Sequence, residues 1–147
     1  MRTEFKKLRI SQLQKALEPF LSLRDSPRPR KGWLLAIREV SGLTVREIAK
    51  RLGKAPSLVV QLEKSEAEYR ITLGSLRDAA DALGCQLVYA IVPKSGNVED
   101  LAEARARAIA TENVGRVEHS MALEDQAVGG VPAKIEEETK RILKKGR

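Results

Sequence analysis

A chain of 147 residues, 42% apolar but only 3% aromatic, has room for one domain with appended elements rather than two full domains, around an aliphatic, helical core. The single cysteine, Cys85, rules out an internal disulfide; with no apolar run near the ~20 residues of a membrane span and no apolar core in MRTEFKKLRI, the expected compartment is the cytoplasm. The net charge of +7 is N-terminal in origin, because residues 1–31 hold nine Lys/Arg against three acids, residues 32–94 nine against seven, and residues 95–147 nine against ten. Such a distribution suits a polyanion partner, or solubility alone.

From the N-terminus, Phe5, Leu8, Leu13, Ala16, Leu17, Phe20 and Leu21 recur at helical spacing, so residues 1–23 read as a basic amphipathic helix that needs something to pack on. RDSPRPRKG, 24–32, holds two prolines and a glycine and predicts a solvated linker. A helical domain should fill 33–84. Trp33 to Val40 forms its first helix, with Leu34, Ile37 and Val40 inward. Thr44 and Glu47 then have the spacing of a capping box, Ile48, Ala49 and Leu52 line the inner face, and Gly53 supplies the left-handed stop. Pro56 suits the first position of a following helix that turns Val59 and Leu62 inward. A fourth helix from Thr72 buries Leu73, Leu76, Ala80 and Leu83.

The period then changes. QLVYAIVP, 86–93, is β-branched, aromatic and closed by proline, which predicts one β-strand (within 85–94) in an otherwise mainly α chain. No second run of that quality offers it a partner. Helical spacing resumes in the C-terminal region 95–147, over 98–125 through Leu101, Ala104, Ala108, Ala110, Val114, Val117 and Met121, breaks at VGGVP, 128–132, and returns in a polar helix that ends in KKGR.

GLTVREIAKRLG, the apolar Val59 and Leu62 and the adjacent Glu63, set within four helices, resemble the repressor and Cro type of DNA-binding domain, the XRE family. GWLLAIREVSGLT, SEAEYRITLGSLRDAADALGCQLVYAIVP and HSMALEDQ further resemble mobile mystery protein A, over roughly residues 5–128. That resemblance implies a companion, mobile mystery protein B, which carries a Fic domain, and a toxin–antitoxin-like system on a mobile element.

In the XRE type the second motif helix enters the major groove and the helix before it points its first amides at a phosphate. Carried onto this chain, the base-facing positions are Pro56, Ser57, Leu58 and Gln61. Gln61 can pair with adenine, Ser57 can donate or accept, and Leu58 can meet only a thymine methyl or another apolar surface, so direct readout is thin. Phosphate contacts fall to Thr44, Val45, Arg46, Lys54, Lys64 and Arg70, which would otherwise be a solvated face. Arg38 and Glu63 stand where this type of domain forms a buried ion pair.

Catalysis is not expected: His119 is the sole histidine, Cys85 lies beside the expected strand, and no nucleophile stands at a plausible spacing from a base. No His/Cys cluster suits a metal, and no cofactor is expected. Two functions remain. One is a sequence-specific regulator that represses its own operon, and the other is a module that sequesters a partner protein, with Leu58 and Val60 in an apolar docking face. For the regulator, a homodimer through Leu87, Val88, Tyr89, Ala90, Ile91 and Val92 would pair the strand with its copy and set two recognition helices on a palindromic operator.

Overall fold

Helix boundaries in this chain follow the capping residues. In a computed structural model, residues 2–123 and 130–145 are described, and they form α1 (Arg2–Leu21), α2 (Trp33–Val40), α3 (Val45–Leu52), α4 (Pro56–Ala67), α5 (Leu73–Ala82), α6 (Val98–Leu123) and α7 (Val131–Lys145). Thr44 caps α3 and Thr72 caps α5, each accepting a backbone N–H through its hydroxyl. Gly53 ends α3 at φ 65°, a left-handed conformation that glycine adopts without steric cost. The Lys54 amide bonds back to the Ala49 carbonyl at 3.0 Å and so closes the turn. Part of the break expected at 128–132 and the last two residues of KKGR lie outside the described residues.

The chain divides into two units, a central one, Asp25–Tyr89, and a flanking one built from Met1–Arg24 with Ala90–Arg147. In the central unit Ile48, Ala49, Val59 and Ala82 form the core, with Leu43, Val45, Leu52 and Leu83 packed against it. Leu34 is buried as its helical position requires, but Val40 is 90% exposed. The inward place one turn after Leu34 is taken by Arg38, so Val40 turns outward. Leu73 is also exposed, because α5 packs through the small side chains Ala79, Ala80 and Ala82 further along.

In the flanking unit α6 and α7 pack through Ala106, Ala110 and Ile142, joined by Ile109, Ile135 and Leu143. Alanines on α6 let the second helix approach closely. The face is rotated from the one the spacing suggested: Ala106, Ala110 and Val114 are buried, whereas Leu101 and Val117 are more than half exposed. An alanine-rich helix carries small apolar groups on every side, so periodicity alone does not select its buried face. Gln14 of α1 joins this unit through its side chain, which donates to the Gly96 carbonyl at 3.1 Å and accepts the Val98 amide at 2.8 Å, satisfying a first-turn N–H of α6. No residue of α1 is buried.

The expected strand is absent. Residues 86–93 form neither helix nor strand, and Val88, Tyr89 and Ile91 are 65%, 64% and 87% exposed. A strand is defined by a hydrogen-bonded ladder, and the described residues contain no second strand to supply one.

Candidate nucleic-acid interface

The interface is best built from the start of α3. The Thr44 hydroxyl accepts the Glu47 amide at 3.2 Å and donates to Glu47 Oε2 at 2.9 Å, while the Thr44 amide donates to that same oxygen at 2.6 Å. These bonds, the one from the Thr44 backbone first and the one from its hydroxyl second, hold the Glu47 carboxyl below its ordinary value. The helix N-terminus therefore already carries an anion. Thr44 is occupied internally, and what remains for a phosphate is the amides of Val45 and Arg46, which by position have no intrahelical acceptor, and the exposed Arg46 side chain. The Val45 side chain packs on the core, so only its backbone is available.

Lys54 stands exposed in the turn between α3 and α4. Ala55, which has no capping side chain, opens α4, and Pro56 takes its first position. Val59, Glu63 and Glu66 are buried on the inner side of α4, with Leu62 half-buried beside them. Ser57, Gln61 and Lys64 are exposed at i, i+4 and i+7, which makes them one outward stripe. Val60, 54% exposed, shares that face, whereas Leu58 is half-buried. Arg70 is apart from the others. It follows the far end of α4, about 18 Å along the helix from Pro56, and its guanidinium is paired with Glu68.

Two acids on the inner side of α4 fix its placement against α2. Glu63 takes a bidentate grip from Arg38, with Nε at 2.5 Å and Nη2 at 3.2 Å, and Arg38 also reaches the Leu43 carbonyl at 3.3 Å. The Glu63 hydrogen bond holds the Arg38 guanidinium above its ordinary value. One turn on, Glu66, 6% exposed, accepts the Trp33 amide at 3.1 Å and so places a carboxylate at the N-terminus of α2.

The linker closes on this same corner. Arg28 donates to the Glu66 carbonyl at 3.1 Å and to the Ala67 carbonyl at 2.5 Å, and its guanidinium lies 3.7 Å from the centre of the Tyr69 ring. The linker 24–32, expected to be solvated, is thus held at Arg28, and Arg28, Glu66 and Tyr69 are residues that the sequence motifs do not single out. A signal was present: Glu66 lies seven residues after Val59 and three after Glu63, on a stripe that faces the core, where an acid needs a partner. Its partner was not legible, because the pairing spans 38 residues. Among the described residues no group of three or more His, Cys, Asp and Glu is placed to hold a metal ion, and no helix is long and apolar enough to cross a membrane.

A family model described as helix-turn-helix, of the XRE type, matches residues 34–89, the segment that contains α2 to α5. Such a segment suggests a DNA-binding transcription regulator. No curated protein sequence and no solved structure matches the chain.

Proposed function

We propose that this chain is a transcriptional regulator that binds a specific duplex through the outer stripe of α4, is held there mainly by phosphate contacts, and represses its own operon. The observation that carries the reading is the pairing of opposite faces on one helix: Glu63 and Val59 are buried, and Ser57, Gln61 and Lys64 are exposed within the segment that matches the family. Arg46 on α3 and Lys54 in the turn before α4 are exposed and would supply cations for the backbone. Basic side chains outnumber base-reading ones, so affinity should exceed specificity. Binding to DNA from immediately upstream of the coding sequence tests this. Gln61→Ala should relax preference at one base pair per half-site by about 1–3 kcal/mol, and Lys54→Ala should weaken all sequences alike. Equal affinity of the wild-type protein for upstream and unrelated DNA would remove the specific part of the reading.

A homodimer through residues 86–93 belongs to this proposal. Val88, Tyr89 and Ile91 leave apolar surface in water, and an antiparallel copy of the same segment would supply the missing ladder. Two recognition helices about 34 Å apart, or a multiple, would then meet a palindrome. Ala90→Arg should give a monomer by sedimentation, with DNA affinity reduced far more than melting temperature.

Val60, exposed at the middle of the stripe, favours the second reading, in which the same face docks on a protein. The resemblance to mobile mystery protein A suggests the partner, a Fic-domain companion in a toxin–antitoxin-like system in the cytoplasm. The docking surface for that companion would be either this face or the flanking helices, through Phe5, Leu8 and Leu13 of α1 or Leu101 and Val117 of α6, all at least half exposed. Co-purification with the companion after Leu8→Glu and Leu101→Glu, each alone, compared with Val60→Glu, separates the flanking helices from the motif.

A further inference from the structure

α4 ends in an unusual way. The Arg70 amide bonds to the Ser65 carbonyl at 2.8 Å and the Tyr69 amide to the Glu66 carbonyl at 3.1 Å, the two bonds of a Schellman cap. The residue in the left-handed position is Tyr69, at φ 59°, where glycine would be free of strain. Tyrosine there must be held by something its side chain does. The residue is 79% exposed, so core packing is not the reason. What the ring provides is a platform for Arg28, which bridges the last carbonyls of α4 to the linker. The linker returns the contact at Gly32. At φ 90° it lies so close to Glu66 that an added Cβ would fall 1.7 Å from Oε2, an oxygen buried without a hydrogen bond among the described residues.

We infer that Asp25–Gly32 is a clamp on the C-terminal end of α4, and that Arg28, seated on Tyr69, is a positioning residue for the DNA-facing end of the same helix. The inference rests on the DNA-binding reading above. Glu63 fixes the middle of α4 and the clamp fixes its end, so together they set the direction of the axis. A rod about 18 Å long that tilts by about five degrees moves its far end by about 1.5 Å. That exceeds the roughly 0.5 Å tolerance of a recognition site. Base contacts depend on such a displacement, whereas long lysine and arginine side chains follow a phosphate through it.

Tyr69→Gly is the decisive variant, because it removes the ring and relieves the backbone at once. If Tyr69 matters only to stability, this protein should melt at the same temperature or higher and bind DNA as before. The clamp predicts the same or higher melting temperature together with two losses. Trypsin should cut after Arg30 and Lys31 about tenfold faster, as a released segment does. Affinity for a labelled upstream duplex should fall by about five- to tenfold while affinity for poly(dI-dC) is unchanged, since only base contacts need the axis held. Arg28→Ala should repeat both effects, and Tyr69→Phe should restore wild-type values. Wild-type behaviour of Tyr69→Gly in either readout overturns the inference. Failure of the unaltered protein to bind any DNA would instead remove the DNA-binding reading, and the positioning role with it.

Discussion

The central and flanking units are both helical, yet they are specified by different means. In the central unit short helices are fixed by individual polar groups: a capping box at Thr44 and Glu47, a left-handed Gly53, and two buried acids on α4 that hold α2. In the flanking unit α6 and α7 lie together through alanine, isoleucine and leucine, with one part-buried ion pair between them, Lys134 with Glu118, while the pairs within α6, Arg107 with Glu103 and Arg116 with Glu112, are exposed. Directional polar contacts permit one register, whereas an alanine-rich surface is compatible with several. The proposed presentation of Ser57 and Gln61 at a set angle would benefit from the first kind of construction.

Substitutions should separate the units on that basis. The largest effect is expected from Glu63→Ala, which leaves Arg38 with no carboxylate in a mostly buried site and should cost about 3 kcal/mol or more in thermal or denaturant unfolding. Ile48→Ala, in the same core, should cost about 2–5 kcal/mol through lost burial and a cavity, and the same measurement checks it. If Glu63→Ala proved milder than a typical surface change, the polar-anchor account of the central unit would fail. In the flanking unit Ala110, fully buried where α6 meets α7, should tolerate no bulk. Ala110→Leu should lower stability by about 1–3 kcal/mol through overpacking.

Smaller effects sharpen the contrast. Thr44→Ala should cost about 1 kcal/mol as a lost helix cap. It should also weaken, without abolishing, a pH dependence: the Glu47 carboxyl is lowered in the folded protein first by the backbone amide of residue 44, which the substitution keeps, and second by the hydroxyl, which it removes, so its contribution is complete above the unfolded value and disappears as pH falls through the folded one. Acid titration of the melting temperature for the wild type and Thr44→Ala reads this directly. Least of all should follow from Glu103→Ala, whose exposed pair with Arg107 should change stability by no more than about 0.5 kcal/mol.

The same distinction explains what could be read from the sequence. Thr44, Glu47, Gly53, Pro56 and Thr72 act on their own neighbours within a few residues, so both ends of α3 and the starts of α4 and α5 were legible. The helical architecture followed from periodicity. The buried face of α6 did not, and in α5 Leu73 is exposed although Ala80 is buried and Leu83 packs on the core, because alanine packs well and signals little, and Leu73 and Leu101 were the more conspicuous residues. The strand at 86–93 was inferred from residue preference, which reports a chain's readiness to pair and cannot provide the partner. For the candidate site, the outward stripe of α4 was legible once Val59 and Glu63 were assigned inward, while the linker's return to Glu66 and Tyr69 depends on contacts distant in sequence.

The account turns on α4 meeting DNA chiefly through the backbone, and the salt dependence of binding tests that most directly. Affinity for the upstream duplex should be measured by fluorescence anisotropy across a series of salt concentrations, for the wild type and for Lys64→Ala. With about six phosphates neutralised per dimer, the slope of log affinity against log salt should be on the order of −5, and Lys64→Ala should make it shallower by about one to two. No binding at low salt, or a slope unchanged by removing Lys64, would contradict the placement of this helix face on DNA.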